Sequence, residues 1–288
     1  MSDRRAYTVS LPNGGALALG ARPLVMAILN VTPDSFAEPT PHVDPHASIE
    51  RGLRMQADGA DLVDVGGEST RPGARPVSAE EELARVVPVV KGLAAKLRIP
   101  ISVDTYKADV ARAAIDAGAS IVNDVSGLRY DPALARVVAA SGAALVLMHT
   151  RGRPATMYAE AEYTDLIGEV VAELRSSIAC ATAAGVPVDR LVVDPGVGFA
   201  KRPSHSYGVL ARLGAIASSL DRPVLVGPSR KSFMRAEVGE GSPADRDWGT
   251  AAAVAAAVLA GAHIVRVHAV AEMVQVVRVA EEIRRCQP

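Results

Sequence analysis

An eight-stranded parallel α/β barrel, the (β/α)8 TIM-barrel class with a short N-terminal hairpin, is the fold this sequence predicts, on three observations. Eight short apolar runs recur along the chain, and each ends at a small group of polar residues. Between the runs lie segments of helical spacing that end in Gly, so that βα units repeat. The length, 288 residues, is close to that of one such barrel. The runs are nearly all apolar, as a parallel sheet buried on both faces requires. A doubly wound sheet shares this periodicity, but eight successive units favour closure. No Gly/Ser linker, low-complexity tract or charge block divides the chain, so one domain over 1–288 is expected, with the barrel proper at about 22–285.

The elements follow in order. MSDRRAYTVSLPNGGALALG sets Asn-Gly-Gly between alternating residues and predicts a hairpin across the barrel floor. It lacks an apolar run followed by a small-residue cleavage site, so no secretory signal is expected. LVMAIL (24–29) ends at Asn30, DLVDVG (61–66) at Glu68 to Arg71, PISV (100–103) at Asp104, and ASIV (119–122) at Asn123 and Asp124. AALVLM (143–148) ends at His149, LVV (191–193) at Asp194, PVLVG (223–227) at Ser229 to Lys231, and AHIVRV (262–267) at Arg266 with His268. The intervening PHASIERGLRMQADGA, SAEEELARVVPVVKGLAAKL, KADVARAAIDAGA and DPALARVVAASGA read as helices. Trp248 to Val265 carries no Asp, Glu, Lys or Arg, but Gly261 interrupts it and it is mostly Ala, Gly and Val, which argues against a membrane span.

Hydrophobic residues make up 49% and aromatics 3%, so the core is built from Ala, Val, Leu and Ile, with Trp248 the single tryptophan. A net charge of −1 excludes a general electrostatic grip on nucleic acid or anionic membrane, while local anion sites stay open. Of five lysines, Lys201 and Lys231 fall in loops after strands. Cys180 and Cys286 have neither metal-ligand nor disulfide-framework spacing, which fits a reducing cytoplasm.

Two Gly-rich strings are weaker than they look. GVGF (196–199) lacks the third Gly and the downstream acid of a dinucleotide fingerprint, and GPSRKS (227–232) lacks the first Gly of a phosphate-cradling P-loop. Arg230 and Lys231 at a helix start read either as a solvated terminus or as an anion site, since cations there oppose the helix dipole unless an anion intervenes. Arg266 and His268 flank Val267 and point to one side, so Arg230, Lys231, Arg266 and His268 are expected to converge where such barrels bind phosphate. Arg71 could add a further donor fork. For Arg266 the alternative is a salt bridge to a loop carboxylate. On the opposite arc, Asp104, Asn123, Asp124 and Asp194 must each meet a donor. Either they pair with Arg and Lys, or they receive the adjacent N–H groups of a nitrogen heterocycle such as a pterin or purine.

Taken in order, ILNVTPDSF (28–36), DVGGESTRPGA (64–74), DPGVGFAK (194–201) and SRKS (229–232), with ISVDT, IVNDVSG, LMH and RVH, resemble the bacterial dihydropteroate synthases from about residue 24 to 284. The resemblance implies a barrel that joins 4-aminobenzoate to 6-hydroxymethyl-7,8-dihydropterin diphosphate, forming dihydropteroate and pyrophosphate. Asp104, Asn123, Asp194 and Lys231 would hold the pterin, with Met148 against its ring. Asn30 would serve the diphosphate and a Mg²⁺ ion, and Arg71, Arg266 and His268 the diphosphate. Thr70, Pro72, Ser229, Arg230 and Phe36 would frame the aminobenzoate. Lys231, Arg266 and Asp104 would carry the catalysis, and loops 30 to 44 and 66 to 78 would close over both substrates. A homodimer is the partner the family implies.

The chain departs from that pattern at Ala37-Glu38-Pro39-Thr40, where Ser-Asp-Gly-Gly is usual, and at Ser206 and Ala269, where Asn and Asp are common. The two prolines at 39 and 41 would restrict a lid that glycines leave mobile. A pterin-binding module without synthase activity, such as a methyltetrahydrofolate carrier, needs Asp104, Asn123 and Asp194 but no diphosphate clamp. Retention of the SRK and STRP elements favours the synthase.

Overall fold

A computed structural model describes residues 4–32, 44–70, 73–239 and 241–286. Strands β1 (Tyr7–Ser10) and β2 (Ala16–Leu19) form the expected antiparallel hairpin. Its turn is possible because Asn13 and Gly14 take positive φ, 58° and 76°. The barrel strands are β3 (Leu24–Asn30), β4 (Leu62–Gly66), β5 (Ile101–Asp104), β6 (Ile121–Asp124), β7 (Ala144–Met148), β8 (Leu191–Asp194), β9 (Leu225–Val226) and β10 (Ile264–Val267). They are parallel and pair in the order β8-β7-β6-β5-β4-β3-β10-β9. A parallel bridge between Val193 and Val224 closes the ring, with the Val193 N–H donating to the Pro223 carbonyl at 3.0 Å.

Strand β9 is shorter than the 223–227 run suggested. Pro223 and Pro228 bracket it, and proline has no N–H for the ladder.

Helices α1 (Pro45–Ala57), α2 (Ala79–Ala94), α3 (Ala108–Asp116), α4 (Leu134–Ser141) and α5 (Leu166–Ala183) alternate with strands up to β8. Helices α6 (Pro203–Ala211) and α7 (Leu213–Leu220) precede β9, α8 (Arg235–Val238) and α9 (Asp247–Leu259) precede β10, and α10 (Val270–Arg285) ends the chain. Helix starts follow local chemistry. The Asp44, Ser78 and Asp165 side chains accept from the backbone N–H groups of His46, Glu81 and Gly168. Among the described residues no helix is long and apolar enough to cross a membrane.

Two cores result from strand alternation. Val25, Ala27, Val63, Val65, Val103 and Val122 face outward into the helix layer. Met26, Leu62, Ile121, Val146, Val192 and Ile264 fill the lumen and meet Val9, Leu11, Leu17 and Leu19 of the hairpin, which seals the floor. His263 fastens that seal. Its Nδ1 accepts from Val224 N–H at 3.1 Å and its Nε2 donates to the Arg5 carbonyl at 2.9 Å, an arrangement that requires the neutral ring. Burial lowers its pKa to about 4, in agreement.

Candidate active site

The apolar floor stops partway up the lumen. Leu62, Ile121, Val146, Val192 and Ile264 face inward, so Asp64, Asn123, Met148, Asp194 and Arg266, two positions further along, face inward above them. Val103 faces the helices, which turns Asp104 inward as well. By the same alternation Asp124 follows outward-facing Val122 and belongs to the other side. Asp124 accepts from Ser126 N–H and Oγ and from Leu128 N–H, which makes it the cap of the turn after β6 and removes it from the lumen group.

Arg266 does not join a separate cationic cluster. Its Nε donates to Asp64 Oδ2 at 2.6 Å and its Nη2 to Asp104 Oδ2 at 2.7 Å, while Asn123 Nδ2 donates to the same Asp64 oxygen at 2.9 Å. The reason is electrostatic: two carboxylates from adjacent strands face one low-dielectric lumen, and the guanidinium fork compensates both. Burial works against the Arg266 charge, but Asp64 and Asp104 outweigh it and raise its pKa. Burial pushes the Asp104 carboxyl up to about 7, with Arg266 opposing and Asp64 adding repulsion.

Lys231 reaches the lumen from the loop after β9. It donates to the Val197 carbonyl at 2.5 Å and lies 4.4 Å from the Phe199 ring centroid. Burial lowers its pKa to about 8, with the Asp194 charge opposing. Burial in turn raises the Asp194 carboxyl, with Lys231 opposing, and Asp194 Oδ1 accepts from Gly196 N–H at 2.7 Å. The DPGVG turn that builds this corner needs its glycines. A Cβ on Gly196, at φ +67°, would lie 1.9 Å from the His149 carbonyl oxygen. One on Gly198, at φ +80°, would lie 2.9 Å from Lys231 Cδ. Ser206 Oγ accepts from Gly198 N–H at 3.2 Å and supports the turn from behind.

The neighbouring cations disperse. Arg230, at φ 58°, forms a two-pronged pair with Asp247 at the start of α9, at 2.8 and 2.7 Å, so a carboxylate already answers the charge expected to need an anion. His268 Nδ1 and Ser229 Oγ are 2.9 Å apart. Thr70 is half-buried and Asn30 is exposed at the rim. Behind Thr70, Glu68 accepts from the Tyr106 hydroxyl at 3.0 Å and pairs with Lys107, which also pairs with Glu82, so the loop after β4 is latched to the one after β5. Phe36, Arg71 and Pro72, and the Ala37 to Thr40 departure, lie outside the described residues.

Two features escaped the sequence reading. Asp64 sits inside an apolar run, where only its alternation with Leu62 and Gly66 marks it as lumenal. Lys201 is fully buried, 2.7 Å from His149 Nδ1 and donating to the Phe199 carbonyl at 3.2 Å. Burial lowers Lys201 to about 7 and His149 to about 3, so the ring is neutral and its Nδ1 faces the Lys201 amino group. Its Nε2 lies 3.3 Å from Glu173 Oε2.

Comparison with known proteins places this geometry. The family described as pterin binding enzyme matches residues 26–268. The dihydropteroate synthase of Synechocystis is 43% identical over 266 residues, 92% of each chain. That of Mycobacterium leprae is 47% identical over 261 residues, 88% of this chain and 91% of the relative. The solved structure of Xanthomonas albilineans dihydropteroate synthase with 4-aminobenzoic acid superposes with a TM-score of 0.88 at 41% identity, covering 98% of this chain and all of that one.

Proposed function

The chain belongs to the pterin binding enzyme family, and we propose that it acts as a dihydropteroate synthase, joining 6-hydroxymethyl-7,8-dihydropterin diphosphate to 4-aminobenzoate with release of pyrophosphate in folate biosynthesis. One observation carries this reading: heterocycle acceptors, Asp104, Asn123 and Asp194, line the same lumen mouth as the cationic donors Lys231 and Arg266. Breaking the methylene–oxygen bond builds negative charge on the departing diphosphate and positive charge on the pterin, so both signs are needed within one site. Asp194 and Asn123 would hold the ring edge, with Met148 beneath it. Arg266, His268 and, in the same loop as Thr70, Arg71 would receive the diphosphate. Thr70, Ser229 and Arg230 would border the aminobenzoate, together with Pro72 and Phe36. No side-chain nucleophile is required, because the aromatic amine attacks the methylene carbon.

Among the described residues no three His, Cys, Asp or Glu side chains form a cation cage. The exposed Asn30 amide suits a hard ion that draws its other oxygens from substrate and water. Mg²⁺ held there with the diphosphate would neutralise charge developing on the leaving group. A homodimer and a cytoplasmic setting complete the proposal. Trp248, Val279 and Ile283 are exposed on α9 and α10 and offer apolar surface to a second copy, and Cys180 and Cys286 are free thiols.

The test mixes pterin diphosphate, 4-aminobenzoate and Mg²⁺ and follows pyrophosphate. Release that requires the amine is expected; tight pterin binding without release would favour a carrier module. A pH profile follows from the two titrating groups. As pH falls through about 7, Asp104 takes up a proton and loses its charge. As pH rises through about 8, Lys231 loses its own. The profile of kcat/KM for the pterin substrate is therefore expected to be bell-shaped with its maximum between these values. A profile flat from acid to alkaline pH would remove both groups from the reaction.

A further inference from the structure

Asp64 lies one lumen layer below Asp104, because Gly66 is the register partner of Asp104 and Ser102 that of Asp64. Its side chain has no exposure, whereas Arg266 keeps 17% and Asp104 10%. Substrate can reach the two outer groups and not the inner one. A single oxygen, Asp64 Oδ2, accepts from both Arg266 Nε and Asn123 Nδ2. The other oxygen, Oδ1, is buried without a hydrogen-bond partner, as is the hydroxyl of Ser102. Asp64 does not reach substrate, so its contribution to the site lies in the two groups it holds.

We infer that Asp64 is a positioning residue of the synthase reaction, fixing Asn123 on the heterocycle side and Arg266 on the leaving-group side to one point. Arg266 has several rotatable bonds, and its Nη2 contact with Asp104 alone would leave the plane of the fork free to swing. The Nε contact to Asp64 removes that freedom. Asn123 is tied to the same atom, so the two groups cannot drift apart. The separation between what grips the ring and what grips the diphosphate is then set before either substrate part arrives.

This inference rests on the synthase reading, and the experiment separates the two. Wild-type enzyme is assayed first for amine-dependent pyrophosphate release; its absence would dispose of the synthase reading alone. With wild type active, Asp64→Glu keeps the charge but displaces the anchoring oxygen by one methylene, and Asp64→Asn keeps the shape and an acceptor but loses the charge. Steady-state kcat, KM for each substrate and thermal unfolding are measured on both. If Asp64 positions, the Glu variant loses about 10- to 100-fold in kcat, with KM for 4-aminobenzoate unchanged, and the Asn variant retains more activity than the Glu variant. A Glu variant with wild-type kcat, or one less impaired than Asn, would overturn the inference and leave Asp64 as a counterion only. Should the Glu variant not fold, Asp64→Ala, which removes the anchor without adding volume, takes its place in the same comparison with Asn.

Discussion

Arg266→Ala is expected to lose about 10²–10³-fold in kcat and, separately, about 3–5 kcal/mol of stability. The two losses have different origins. On the proposed reaction, turnover suffers because the guanidinium would meet charge building on the departing diphosphate. Stability suffers because Asp64 and Asp104, now held at 2.6 and 2.7 Å from the same fork, would face each other in a buried lumen with no shared cation. Without the Arg266 charge that opposes its burial, Asp104 would bind a proton more readily, so the destabilisation should be largest at neutral and alkaline pH and shrink in acid. Arg266→Lys restores charge without the planar fork and should recover only part of either loss. Thermal unfolding across pH reads the second effect, and kinetics below the unfolding range read the first. Wild-type kcat/KM in the Ala variant would rule out Arg266 as a leaving-group contact.

Asp194→Asn should leave the fold nearly intact and cut affinity for the pterin substrate about 10²–10³-fold. The Asn oxygen can still accept from Gly196 N–H, which now donates to Asp194 Oδ1 at 2.7 Å. The second carboxylate oxygen becomes an NH₂ group, which meets the N–H donors of the heterocycle with a donor of its own. Titration calorimetry with pterin diphosphate measures the loss, and KM for 4-aminobenzoate should move far less. The substitution also strips Lys231 of the charge that opposes its burial. Its alkaline limb should therefore shift to lower pH than in wild type. Unchanged pterin affinity would remove Asp194 from the ring-binding edge.

Much of the architecture was legible because it is locally encoded. Apolar runs ended by polar residues marked seven of the eight strands closely, and positive-φ glycines such as Gly59, Gly118, Gly142, Gly185 and Gly261 sit just past helices, as the Gly punctuation implied. Strand β9 was overextended because two flanking prolines matter more to a ladder than the hydropathy between them. Asp124, grouped with Asn123 among the residues that must meet a donor, finds its donors in Ser126 and Leu128 on the opposite side of the strand, since neighbouring strand residues face opposite sides. The glycines of DPGVG pointed to a turn, but only the structure shows why two of them must lack a side chain, since the His149 carbonyl and Lys231 pass so close.

By itself, the order of residues determined the barrel, the rim on which chemistry is placed and the kinds of charge gathered there. Period-two burial and turn chemistry depend on residues a few positions apart, so a string of letters can carry them. Tertiary structure alone decided which charge meets which. Arg266 was expected beside Arg230 and Lys231; Lys231 does line the same lumen mouth, but the carboxylates that Arg266 pairs with, Asp64 and Asp104, are 202 and 162 positions away. Arg230 turned instead to Asp247. A buried charge is compensated by whatever opposite charge the closed barrel brings within hydrogen-bond reach, and that depends on strand order and register around the ring, which no local pattern contains.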